Sequence, residues 1–307
     1  MEDIEHFAAG TRKIELADGR SLGFLEVGDP SGRPVFFFHG LPGSCLEAIA
    51  MHDVANKHGY HIIAPDRPGF GKSAAQPGRR LLDWPKDVVQ LADAIGIATF
   101  GVIGMSGGGP FGLACAYAIP QRLEFVIDIA GAAPLYSDAV ARRELSFIDQ
   151  LFATLGVYLP VACLRLPFAY LAYRLRKMKD GHEFIKLMGN AFSEPDKKTM
   201  LESGNARLLI RDCQEAFRQG TSSVALESKL IYQSWGFSLG DIDMPVHIFH
   251  GTEDLLVPFS FGEYKAQQIP RSIFEPLPNK GHFHILFNMH ELMGSSDVFE
   301  SNTRPEK

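Results

Sequence analysis

Residues 104–112 read G-M-S-G-G-G-P-F-G, and two motifs share them. Gly104, Ser106 and Gly108 fit G-x-S-x-G, the sharp strand-to-helix turn that presents a nucleophilic serine. Gly107, Gly109 and Gly112 fit G-x-G-x-x-G, the loop that cradles a dinucleotide pyrophosphate. The first pattern belongs to a hydrolase and the second to an oxidoreductase. What surrounds the stretch therefore decides both fold and chemistry.

Around it, short apolar runs at 35–38, 61–64, 100–103 and 125–129 each end at turn residues. Such runs suit strands buried on both faces. Helix-like segments at 46–58, 82–95 and 109–118 separate them, so the order implies right-handed βαβ units and a mostly parallel sheet. Segments 14–16 and 22–27 flank Asp18-Gly19, which predicts a β-hairpin. From about Pro134 to Phe237 no buried-strand run occurs. Phe184, Leu187, Met188 and Ala191 have helical spacing there, and the segment reads as a helical insertion. Strand signals resume at 246–249 and 272–277. The polar tail from Gly294 is expected to fray.

Composition narrows the function classes. A chain of 307 residues that is 46% hydrophobic and 21% charged can bury a sizeable core. Its net charge of −6 argues against a nucleic-acid partner, which would need a concentrated basic face. The one dense basic run, Arg174, Arg176, Lys177 and Lys179, reads as a solvated helix end. Cys45, Cys115, Cys163 and Cys213 are far apart in sequence, which suggests reduced, buried thiols. The acidic N-terminus has no apolar leader region, and a cytoplasmic location is expected. The most membrane-like segment, 151–173, is interrupted by Pro160, Arg165 and Pro167. Its longest uncharged run, 151–164, has 14 residues, short of the roughly 20 that span a bilayer. It reads as short buried or groove-lining helices, and membrane contact is not expected.

In parallel sheets, function gathers at the carboxyl ends of the strands. Ser106 stands at such an end, where helix N–H groups and the helix dipole favour developing negative charge. The simpler reading is that Ser106 only caps the helix. A serine hydroxyl is a poor nucleophile unless a base takes its proton. In G-x-S-x-G proteins the partners follow in the order Ser, acid, His. Strand 246–249 runs into H-G-T-E-D, which offers Asp254, and strand 272–277 runs into N-K-G-H-F-H, which offers His282. Asp254 is preferred to Glu253 because the apolar Leu255-Leu256-Val257 follows it. His282 is preferred to His284 because Gly281 gives its loop freedom. His284 would start the next helix or pack beneath it. The oxyanion donors expected are the N–H of Gly107 and, from the loop H-G-L-P-G-S after strand 35–38, the N–H of Leu41. Cys45, near that loop, reads as structural because no charged activator is evident.

These residues carry a resemblance. H-G-L-P-G-S at 39–44, P-D-R-P-G-F-G-K-S at 65–73, G-M-S-G-G at 104–108, H-G-T-E-D at 250–254 and G-H-F at 281–283 resemble the α/β-hydrolase-fold proteins that carry an inserted cap. The resemblance spans about 14–290. It implies an α/β fold with a mostly parallel eight-stranded sheet flanked by helices. The core would comprise 1–133 and 237–307, and a helical cap 134–236. It also implies a serine hydrolase that needs no cofactor and acts on a small-molecule ester. The apolar stretch 151–173 in the cap predicts an apolar acyl or alcohol group. C–C hydrolases and amide hydrolases such as proline iminopeptidases share the triad. Epoxide hydrolases and dehalogenases place an aspartate where this chain has Ser106. A non-catalytic binding protein on the same fold is the remaining alternative.

The competing motifs fail on context. A dinucleotide loop follows the first strand of its unit and needs an acid about 20 residues on. Here Asp128, 16 residues past Gly112, lies inside an apolar strand, and Pro110 removes a backbone donor from the putative loop. G-F-G-K-S lacks the glycine that a phosphate loop needs, since Asp66 stands at that position. His282-x-His284 has no third or fourth ligand at a metal-site spacing. Cofactor and metal are therefore both expected to be absent.

Overall fold

A computed structural model describes residues 2–134, 158–202 and 204–294 of the chain. Eight strands form one sheet: β1 (Arg12–Glu15), β2 (Ser21–Gly28), β3 (Arg33–Phe38), β4 (Tyr60–Pro65), β5 (Phe100–Met105), β6 (Leu123–Ile129), β7 (Val246–Gly251) and β8 (Ser272–Leu277). Their spatial order is β1-β2-β4-β3-β5-β6-β7-β8. The hairpin expected around Asp18-Gly19 is the β1–β2 pair, with Ile14 opposite Leu22. Pairing is antiparallel for β1–β2 and β2–β4 and parallel from β4 to β8.

The solid apolar runs are explained by which faces they fill. In β3, Val35 and Phe37 join the core on one side of the sheet, and Phe36 and Phe38 join the core on the other. Alternate residues of a strand point to opposite faces, so a strand covered on both sides needs apolar residues at every position. One face is covered by α2 (His52–His58) with the 3₁₀ segment Cys45–Met51 before it, and by the C-terminal helices α11 (His284–Phe287) and α12 (His290–Met293). The other is covered by α3 (Trp84–Ala94) and α4 (Gly109–Ala118). A further helix, α10 (Phe259–Gln268), packs beside β7 and β8. An N-terminal helix α1 (Glu2–Gly10) had no counterpart in the sequence reading.

Between β6 and β7 the described residues form helices: α5 (Val161–Leu175), α6 (Gly181–Met188), α7 (Glu194–Leu201), α8 (Asn205–Ala216) and α9 (Ser222–Tyr232). Residues 135–157, which include the first part of the membrane-like stretch, lie outside the described residues, as does most of the polar tail.

Three local expectations change. Helix α5 runs through Arg165 and Pro167 without interruption. It is also less buried than its composition implied: Leu164 and Leu175 are buried, while Leu166, Tyr170 and Tyr173 are exposed. Its mean apolarity is spread around the helix, so only one stripe faces inward. Cys163, on the same helix, is exposed, whereas Cys45, Cys115 and Cys213 are buried, and all four are free thiols. The basic residues Arg174, Arg176, Lys177 and Lys179 are exposed at the C-terminal end of α5, where cations favour the helix dipole.

Candidate active site at the carboxyl edge of the sheet

Ser106 follows β5 directly and has φ +52°, in the left-handed region that costs a residue with a side chain on the order of 1–3 kcal/mol. Neighbouring glycines make this turn possible. A side chain at Gly104 would start 2.7 Å from the Gly108 carbonyl, and one at Gly108 would start 2.1 Å from the Phe38 carbonyl. Strand β5, the turn and the end of β3 thus approach to backbone contact. The cap reading of Ser106 does not hold: Gly108 is the N-cap of α4, with no side-chain hydrogen bond there. Ala130 after β6 (φ +48°) and Asn279 after β8 (φ +58°) are in the same region, so strain recurs at three carboxyl ends.

Asp254 lies in the loop after β7 and His282 in the loop after β8. Both are buried, and His282 Nδ1 is 2.6 Å from Asp254 Oδ2. The other oxygen, Oδ1, accepts the N–H groups of Leu256 and Val257, each at 2.9 Å. That pair of bonds is why an acid just before Leu255-Leu256-Val257 points inward. Glu253 is exposed. His284 begins α11 and meets Glu291 at 2.9 Å, so it is not part of this pair. Burial opposes charge on Asp254, but His282 and His250 outweigh it and hold the carboxyl well below the usual range. His250 Nε2 is 3.4 Å from Asp254 Oδ2 and 2.9 Å from the Val257 carbonyl. Burial likewise opposes charge on His282, yet Asp254, with Asp196 and Glu47 further off, raises its pKa above that of free histidine. With Nδ1 committed to the carboxylate, Nε2 is the nitrogen left for other work.

Ser106 and His282 line one cavity of about 300 Å³ with Gly40, Leu41 and Gly107. A side chain at Gly107 would start 3.1 Å from Leu41 N, so the two expected oxyanion donors are neighbours. The helices between β6 and β7 supply most of the apolar wall, including Phe168, Leu171, Leu175, Phe184 and Phe192.

Four acids and a buried arginine around this cavity escaped the sequence reading. Glu47 accepts the Gly40 N–H at 2.7 Å, and burial pushes its carboxyl up to about 7. Asp212 of α8 accepts both the N–H and the hydroxyl of Ser44, at 2.8 and 2.6 Å. Burial and the nearby Glu47 raise it well above a free carboxyl. Both acids line the cavity. Asp196 of α7 accepts the Phe283 N–H at 3.0 Å. A side chain at Gly281 would start 2.4 Å from its carboxyl carbon. Gly281 therefore serves close packing, and the loop freedom expected of it is not what the site uses. Arg67 is fully buried and bridges the carbonyls of His39 and Gly40 to Glu227 of α9. The available signal was a pair of acids on an apolar helical face: Leu208, Leu209, Asp212, Glu215 and Ala216 share one side of α8, and all are buried. Burial and the adjoining carboxylates Asp66 and Asp212 push the Cys45 thiol up, in keeping with a structural role.

A family profile described as alpha/beta hydrolase fold matches residues 33–288. The chain is 33% identical over 279 residues to an uncharacterized hydrolase, YcgS, of Bacillus subtilis strain 168, covering 88% of this chain and 92% of that one. It is 25% identical over 264 residues to a non-heme chloroperoxidase of Streptomyces lividans, covering 83% and 87%. Among solved structures it is similar to an esterase, EaEST, from Exiguobacterium antarcticum, with a TM-score of 0.65 at 19% identity over 92% of this chain and 96% of the other. Strand order, the turn at Ser106 and the match across the core agree, and the chain belongs to the α/β-hydrolase fold family.

Proposed function

We propose that this protein is a serine hydrolase that cleaves a carboxylic ester of a small to medium, largely apolar molecule. The observation that carries the reading is the Asp254–His282 pair at 2.6 Å, opening on the same cavity as a serine held at φ +52°. His282 Nε2 takes the proton of Ser106, and Ser106 Oγ attacks the ester carbonyl. Asp254 holds the imidazole in the Nδ1–H tautomer and stabilises the imidazolium that forms. The N–H groups of Leu41 and Gly107 receive the oxyanion. The imidazolium then protonates the leaving alcohol, and water, activated by His282, releases the acid. Each proton stays between these residues, substrate and water, and the cycle as written draws on no cofactor.

In this reading residues 134–236 form a cap over the carboxyl edge. The apolar wall from Phe168 to Phe192 favours an apolar substrate group, while Glu47 and Asp212 make one side of the cavity acidic. The test pairs two measurements. A fluorophosphonate probe should label the wild type and not Ser106→Ala. A panel of p-nitrophenyl esters with acyl chains from acetyl to octanoyl should be hydrolysed with kcat reduced on the order of 10⁴-fold or more in Ser106→Ala. Near-normal turnover in a folded Ser106→Ala protein would sink the mechanism. An unlabelled wild type would return the chain to the class of binding proteins on this fold.

A further inference from the structure

The loop 39–44 has to present one N–H to the cavity and keep the rest of its polar backbone occupied. Its two peptide units are gripped from behind. The His39 carbonyl accepts from Arg67 Nη1 at 2.5 Å and the Gly40 carbonyl from Arg67 Nη2 at 2.9 Å. In a trans peptide the N–H points opposite to the carbonyl. The N–H across from the His39 carbonyl is that of Gly40, and it goes to Glu47 Oε2 at 2.7 Å. The N–H across from the Gly40 carbonyl is that of Leu41. Among the described residues no protein group accepts it. Gly40 itself is held between the two sides: a side chain there would start 3.5 Å from Glu47 Oε2 and 3.6 Å from Ser106 Cβ.

We propose that Glu47 is a positioning residue of the oxyanion loop: by accepting the Gly40 N–H opposite the Arg67 grip, it fixes the peptide that aims the Leu41 N–H at the carbonyl attacked by Ser106. Glu47 belongs to the 3₁₀ segment Cys45–Met51 and is buried. Its segment is itself tied to the insertion, since Ser44 caps it and is bonded to Asp212. Arg67 is tied there too, through Glu227. The loop is thus clamped by two residues of the core, Arg67 and Glu47, and by two acids of the helices between β6 and β7. Loss of the acceptor strands a buried N–H in the cavity wall. That peptide then gains by turning toward any other acceptor, substrate included. The role needs an acceptor oxygen and not a charge, so glutamine should serve.

The inference rests on Ser106 acting as the nucleophile. The experiment measures kcat and KM for p-nitrophenyl butyrate in the wild type, Glu47→Gln, Glu47→Leu and Ser106→Ala. Each protein's fold is checked by circular dichroism, and its serine by fluorophosphonate labelling. Expected is a fall in kcat of roughly 10- to 100-fold in Glu47→Leu, with KM within about threefold, as for a displaced oxyanion donor. Glu47→Gln should stay within about threefold of wild type in both constants. If Glu47→Leu fails to fold, Glu47→Ala with added formate replaces it, and formate should restore kcat without changing KM. Unchanged kcat in Glu47→Leu overturns the proposal, as does absence of rescue by formate. A raised KM at constant kcat also overturns it and makes Glu47 a substrate-binding group. Equal damage in the Gln and Leu variants overturns it in favour of a role for the charge. An active Ser106→Ala protein overturns the underlying mechanism instead, which keeps the two failures apart.

Discussion

Replacing Asp254 by asparagine removes one charge and turns one of two acceptor oxygens into an NH2 donor. The carboxylate contacts His282 Nδ1 at 2.6 Å and is buried. Taking the charge centres of imidazolium and carboxylate as about 4 Å apart, an effective dielectric near 20 gives roughly 4 kcal/mol of attraction. The Leu256 and Val257 N–H groups hold the amide oxygen, so the amide NH2 faces His282 Nδ1 and puts the ring proton on Nε2, the wrong tautomer for a base toward Ser106. The loss of roughly 4 kcal/mol falls on the step in which His282 becomes charged, and the wrong tautomer adds to it. It corresponds to a kcat lower by roughly 1000-fold or more. The pH profile should move as well. His282 has a raised pKa in the folded protein, and only its neutral form can act as base, so wild-type activity is lost as pH falls through that raised value. Without the Asp254 charge the imidazolium is less favoured, and the acid limb of kcat/KM shifts to lower pH. Ester hydrolysis followed from pH 5 to 9 in both proteins reads both effects. A folded Asp254→Asn protein with kcat within tenfold of wild type and an unmoved acid limb would refute the assigned role of the pair.

Two further variants test the scaffold. Gly281→Ala places a methyl 2.4 Å from the Asp196 carboxyl carbon and should cost about 1–3 kcal/mol in unfolding free energy through overpacking; thermal melting alone and with Asp196→Gly checks this, since the cost should shrink when the obstructing carboxyl is gone. Lys265→Met leaves Asp128 as a buried, unpaired acid, because Lys265 donates to Asp128 and to the Gly131 carbonyl within the core. The variant should lose about 3–5 kcal/mol, and Asp128→Asn/Lys265→Met should regain much of it; a melting temperature equal to wild type in the single variant would contradict the pairing.

The strands were legible because parallel, doubly covered strands announce themselves as unbroken apolar runs. Five such runs gained only a residue or two at their ends; β8 keeps the ends of 272–277 although it is an edge strand with no buried residue. The Asp254–His282 contact was legible because the two residues stand at carboxyl ends of neighbouring strands, and topology alone brings such ends together. Helix α5 was misjudged for the opposite reason. Its many apolar residues suggest burial by count, but burial on a helix follows angular position, and Leu166, Tyr170 and Tyr173 turn away from the stripe of Leu164, Phe168, Leu171 and Leu175.

The charged groups around the cavity were the least legible, and the cause is physical. A buried charge is tolerated only with a partner, and here the partners are distant in sequence. Arg67 finds Glu227 after 160 residues, and Ser44 finds Asp212 after 168. No local pattern carries such a pairing. Each half does leave a trace, as Asp212 among the buried residues of α8 and Glu227 among those of α9, between Val224 and Ile231. An acid at such a place implies a cation or a set of donors at the far end of its contact. In this chain the implied partners are the turn after β3 and the arginine after β4. Both traces lie in the helices between β6 and β7, and both converge on loop 39–44, which in the proposed mechanism holds an N–H still while a carbonyl becomes an oxyanion. A helix packed over the cavity only to exclude water has no need to bury a carboxylate. Burying two, each bonded to that loop or to the arginine that grips it, gives these helices, under the proposed mechanism, a part in shaping the oxyanion site as well as in lining the cavity.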